Sequence, residues 1–266
     1  MNEVLLLAAV FTAAQLGEVN CQKYPDADKV VIEETEKVRY FPDGTSETVE
    51  ESWTKLLTEK GRRGESVLRL DYSKRYGEAA IEYVGVVAAD GSEREIDVSA
   101  TTKESTDNSS MSANIYDPLD RVIICTIPGL AIGDTLHVKT RRKVLKPRCE
   151  GKWSDLSLLE WSSPILRSTY EVTAPSELPL RKIAIRNPIG NVTTNFNLLA
   201  DGSAVYTFTA TNSAQAFPEP DMPPLYTQVQ RVHVSTALSW SEISKWYWNL
   251  CEPHLAKTNE ALVAKA

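Results

Sequence analysis

The chemistry open to this chain rests on four cysteines, three histidines and its carboxylates. A nucleophilic thiol needs a histidine to take its proton and a third group to orient that histidine. Only Cys251 and His254 stand at a spacing that brings them together locally, three residues apart on a helix. Their setting is poor, because a thiolate is favoured at a helix N-terminus and Cys251 falls near the C-terminal end of its segment. Cys125 lies in the apolar run Val122 to Ile127 and reads as a small buried side chain. Cys149 follows Pro147-Arg148, and Cys21 sits near the amino end. Whether Cys125 and Cys149 pair in an oxidising compartment is left open by their spacing. No catalytic residue is assigned, and the chain is expected not to be an enzyme on its own.

The other chemistries fare no better. Without a Cys-x-x-Cys spacing, and with His137, His233 and His254 scattered, no metal site is expected. There is no glycine-rich phosphate loop and no Gly-x-Ser-x-Gly elbow, so no cofactor is expected either. The neighbouring acids Glu33-Glu34 and Glu50-Glu51 point to opposite faces of a strand and read as strand polarity, not as a hydrolytic pair. With 29 basic and 36 acidic residues the net charge is -7, which disfavours a nucleic-acid partner. What remains is binding. Trp240, Trp246 and Trp248 are the candidate ligand contacts, against the competing reading that they dock their helix to the body.

The elements that must position these residues are mostly strands. Lys29 to Tyr40 alternates, with Val30, Ile32 and Val38 among charges, and Pro42-Asp43-Gly44 turns it into Thr45 to Leu57. A second hairpin joins Ala79 to Ala88 with Arg94 to Val98 through Asp90-Gly91. Ser99 to Asn114 is polar throughout and reads as a long exposed loop. Arg121 to Ile127, Thr135 to Val144, Ile165 to Ala174, Leu180 to Arg186, Val192 to Leu198, Ala204 to Thr211 and Thr227 to Ser235 complete the strands. Phe217 to Pro224 carries four of the fourteen prolines and should be an extended strap. Ser239-Trp240-Ser241-Glu242 is a capping box, with Ser239 the expected N-cap of a helix that Pro253 ends or kinks.

The pattern predicts a mainly β fold, a large two-layer antiparallel β-sandwich with a short N-terminal helix and a C-terminal helix. The expected division is residues 1-22 for the N-terminal helix, 23-235 for the sandwich, and 236-266 for the C-terminal helix and a linker. Val4 to Leu16 is too short for the roughly 20 residues of a membrane span, so none is expected. Glu3 in its first turn favours a packed helix over a secretion-signal remnant, and the natural chain then begins upstream of Met1.

Several segments, taken in order, resemble the bacterial family known as domain of unknown function 3857. They are Tyr24-Pro25-Asp26-Ala27-Asp28, Asp43-Gly44, Leu56 to Gly61, Asp90-Gly91, Ile127-Pro128-Gly129 with Gly133-Asp134, Ser163-Pro164, Glu219 to Pro224 and Trp240 to Tyr247. The resemblance runs from about Tyr24 to Leu255 and implies an N-terminal module that precedes a transglutaminase-like domain. It implies a periplasmic or extracellular bacterial location. The catalytic cysteine, histidine and aspartate would then lie beyond Ala266. The expected role is a non-catalytic accessory or substrate-positioning module whose partner is that downstream domain. The alternative is a cell-surface sandwich that binds a carbohydrate or a protein.

Overall fold

The computed structural model describes residues 13–109, 111–255 and 264–265. A short helix α1 (Ala13–Gly17) leads to the first hairpin, β1 (Lys29–Tyr40) and β2 (Ser46–Leu56), whose turn is made by Gly44 at φ 90°. Helix α2 (Glu59–Glu65) carries the chain into β3 (Val67–Ser73), and a second hairpin follows, β4 (Gly77–Val87) with β5 (Glu93–Glu95). Next come α3 (Val98–Thr101), β6 (Thr102–Thr106), β7 (Asp120–Thr126) and β8 (Thr135–Val144). The second half runs β9 (Ser154–Leu158), β10 (Ile165–Ala174), β11 (Lys182–Arg186), β12 (Val192–Leu198), β13 (Ala204–Ser213), β14 (Arg231–Ser235) and α4 (Trp240–Leu255).

Eight strands form one large sheet in the order β12-β13-β10-β1-β2-β8-β4-β5, and two three-stranded sheets, β11-β14-β9 and β3-β7-β6, pack on it. Cross-strand partners share a face, so Val84, Val138, Ser52, Glu34, Ser168 and Ala210 mark one inner face across the large sheet. Over one end of that face Tyr170, Val172 and Phe208 meet Val232 and Val234 of β14. Over the other end Val84, Val86 and Leu136 meet Leu70 of β3 and Cys125 of β7. Each such side chain contributes about 1.5–3 kcal/mol on burial. The result is a sandwich whose second layer is split in two and which does not close.

The sequence reading needs three corrections. The pairing is not wholly antiparallel, because β1 and β10 run parallel, joined through the long excursion that a parallel pair requires. Ser99 to Asn114 is not all loop: Thr102–Thr106 forms β6, an edge strand paired only to β7, and its polarity is that of an edge. The side chains of β1 do not keep one face. The register shifts between Val31 and Glu33, so Val30 and Ile32 pack with Leu16, Val19 and Trp53 on the outer face. Past the shift, Glu34, Glu36, Val38 and Tyr40 turn to the inner one. Helix α4 runs on to Leu255 with Pro253 inside it.

Of the expected N-terminal helix, the described part is α1, with Leu16 buried against the outer face, while Val4 to Thr12 lies outside the described residues. No helix among the described residues is long and apolar enough to cross a membrane.

Candidate functional site

Two surfaces of the small sheet β11-β14-β9 carry the chain's concentrated polar chemistry. Its inner face meets a row of acids. The register places Glu34 and Glu36 of β1 beside Glu50 and Ser52 of β2, and β9 lies over them, leaving a cleft of about 400 Å³. The Ser157 hydroxyl donates to Glu36 at 2.6 Å, and the Tyr170 hydroxyl donates to Asp155 at 2.9 Å. Glu50 is ion-paired with Arg142. Burial, reinforced by the charge of Asp155, pushes the Glu36 carboxyl up to about 8. Burial also raises Glu34 and Asp155. Glu36 and Asp155 join the two layers through these hydrogen bonds. No cluster of metal-ligating side chains occurs among the described residues.

The outer face is cationic. Along β11 the alternation places Lys182, Ala184 and Arg186 outward, opposite Ser235, His233 and Arg231 of β14. Beyond these lie Ser154, Leu156 and Leu158 of β9. The first turn of α4 leans over this grid with Trp240 and Ile243, enclosing a groove of about 650 Å³. Arg231 is fixed by its own chain: Nη1 donates to the carbonyls of Thr227 and Val229 at 2.8 and 3.1 Å. Its Nε donates to His233 Nε2 at 3.0 Å, so the His233 proton sits on Nδ1. Burial, with the charges of Arg231 and Arg186, pushes His233 below the usual imidazole value. Lys182, Arg186 and Arg231 have no carboxylate partner among the described residues.

Of the three candidate tryptophans, Trp240 lines the groove and is 83% exposed, whereas Trp246 is half-buried and Trp248 is 54% exposed, both away from it. Helix α4 buries no residue, while Ile243 and Trp246 on it are half-buried. Past Ile243 its apolar side overhangs the body, leaving Tyr247 62% and Leu250 54% exposed. The expected capping box is displaced by one residue, with Glu242 Oε2 accepting from the Leu238 N–H at 3.3 Å and pairing with Lys152 at 2.9 Å. All four cysteines are free, so Cys125 and Cys149 do not pair. Cys125 is buried, with Sγ 3.4 Å from Thr101 Oγ1. Cys251 is half-buried on α4, and no bond joins it to His254.

Sequence reasoning missed the acids of the inner face. It compared neighbours, Glu33 with Glu34, where the signal was the i, i+2 spacing of Glu34 and Glu36 in line with Val38 and Tyr40. It also missed Lys182, Arg186, Arg231 and His233, which only the pairing of β11 with β14 brings together.

Against known proteins, the model of the family described as "Domain of Unknown Function with solved-structure structure (DUF3857)" matches residues 42–216. No curated protein matches the sequence. Among solved structures, the chain is similar to a "putative protease" from Parabacteroides distasonis, with 15% identity and a TM-score of 0.67. The match covers 79% of this chain and 40% of that one. A CBM3a-L domain from the cellulosome scaffoldin cipA of Clostridium thermocellum is also matched, with 13% identity and a TM-score of 0.24, over 45% of this chain and 69% of that domain.

Proposed function

The chain belongs to the DUF3857 family, and from that premise we propose that it is a non-catalytic module of a secreted bacterial protein, positioning substrate for a transglutaminase-like domain that packs on α4. The observation that carries this reading is the overhang of α4. A helix that buries none of its residues yet holds Tyr247, Trp248, Leu250 and Leu255 in water exposes apolar surface that a partner would cover. The fold is shared with a protein of which this chain spans 40%, which leaves room there for a second domain. The interior adds to the case: the buried thiol of Cys125 has the Thr101 hydroxyl beside it, and no hydrogen bond to a histidine among the described residues.

The test uses the full-length protein together with this chain alone. With Tyr247→Asp and Leu250→Asp, the full-length protein is expected to lose a shared unfolding transition and show two separate ones, with substrate turnover reduced. Turnover of peptides or amine crosslinking by this chain alone would overturn the reading, as would a reading frame without a following catalytic domain.

A further inference from the structure

We infer that the groove between the outer face of the β11-β14-β9 sheet and the first turn of α4 is a binding site for a carboxylate-bearing oligosaccharide, such as a run of uronic acids. The chain as a whole is acidic, at a net charge of -7. On this one face the sign is reversed: Lys182 and Arg186 line the groove with His233, Arg231 lies next to them on β14, and Asp155, which also borders the groove, turns its carboxyl inward to Tyr170. Unpaired cations brought together on a flat sheet repel each other. An anion laid across them relieves that repulsion, and the guanidinium of Arg186, which lines the groove, can match a carboxylate through paired N–H donors.

The geometry is prepared before any ligand arrives. Arg231, beside the groove, is held by two backbone carbonyls and through its bond to His233 fixes the ring that lines the groove, so orienting that ring costs little on binding. With Nε2 of His233 engaged as acceptor, Nδ1 carries a proton and can donate. At about 650 Å³ the groove lies within the roughly 300–1,000 Å³ of small-ligand sites.

The rest of the lining selects a sugar over an acidic peptide. Ser154, Ser235 and Ser239 offer hydroxyls, and Trp240 offers the face of a large ring on which a sugar can lie. A peptide needs partners for its backbone, usually an open strand edge. The groove instead sits over β14, the central strand, whose ladders to β11 and β9 are both filled. This inference does not depend on the proposed packing of a further domain on α4, because the chain alone should bind.

The experiment is calorimetric titration of the whole chain with a galacturonate tetrasaccharide, a neutral galactose tetrasaccharide and a tetraglutamate peptide. The galacturonate is expected to bind, with an affinity that falls as salt rises, and the other two at least tenfold more weakly. Arg186→Ala and Trp240→Ala should each weaken galacturonate binding about tenfold or more. Both side chains are exposed, so the variants keep the fold, which circular dichroism checks. Lys103→Ala, an exposed cation on β6, should change nothing. Tetraglutamate binding as tightly as galacturonate would overturn the inference, as would no binding of galacturonate or indifference to Trp240→Ala.

Discussion

Ser157 of β9 and Glu36 of β1 are joined across the two layers by a hydroxyl that donates to a carboxyl at 2.6 Å. The bond exists because the register shift in β1 turns Glu36 inward, where the small sheet covers it. Burial, with Asp155 for a neighbour, raises the Glu36 carboxyl, so the fold favours its protonated form.

Stability should therefore fall as pH rises from about 5 to 8. Glu36 releases its proton near 4.5 in the unfolded chain and at about 8 in the fold, so between these values the native state binds more protons and each step upward in pH favours unfolding. Glu34 and Asp155, raised by burial, act in the same sense. The other groups facing Glu36 are Glu50 with its partner Arg142, Ser157 and Tyr170. His137, which burial lowers, pulls the opposite way, so the readout is a difference between proteins. The urea midpoint of Glu36→Gln should decline less across this range than that of the wild type. Parallel curves would refute the account.

The second clamp predicts a loss from a single oxygen. Tyr170 is fully buried and its hydroxyl donates to Asp155 at 2.9 Å. Tyr170→Phe keeps the ring in the core and leaves Asp155 short of a donor, which should cost about 1–3 kcal/mol in urea unfolding at pH 6. A variant as stable as the wild type would show that the bond carries no net stability.

These contacts also mark where the sequence was readable. Thr135–Val144, Ile165–Ala174 and Val192–Leu198 were predicted to the residue, because alternation and flanking turns suffice for a strand bounded by Gly or Pro. Ser154–Leu158 and Val67–Ser73 went unseen. The first has no β-branched residue and is a strand only because β14 pairs with it. The shift at Val31 to Glu33 was equally silent, since alternation on either side of it looks continuous. In the groove, Trp240 was legible as an aromatic near a capping motif. Its cations were not, since Arg186 and Arg231 lie far apart in the chain and meet only through strand register.

Two glycines of α2 should respond oppositely to the same change. A Cβ on Gly61 would fall 2.1 Å from the Asp28 carbonyl oxygen, and that backbone is tied down by Leu57 and Thr58. A Cβ on Gly64 meets nothing within 4 Å. Gly61→Ala should cost more than about 2 kcal/mol, since Asp28 and the helix must move apart. Gly64→Ala should add about 0.5–1 kcal/mol, because alanine loses less backbone freedom in a helix. Thermal unfolding of the pair checks both signs, and equal shifts would mean that α2 does not pack on Asp28 as described.

Thiol accessibility tests the core and the absence of a disulfide in one measurement. Cys21 is exposed and should react first with a thiol reagent, while Cys149, whose thiol burial pushes up, and Cys251 are half-buried and should follow more slowly. Cys125 lies between the large sheet and β3-β7-β6, beside Thr101, and should stay unreactive until the chain unfolds. In urea without reductant all four should titrate, because none is paired. Two missing thiols would establish a disulfide, and prompt labelling of Cys125 in the native state would mean that the layer over it opens.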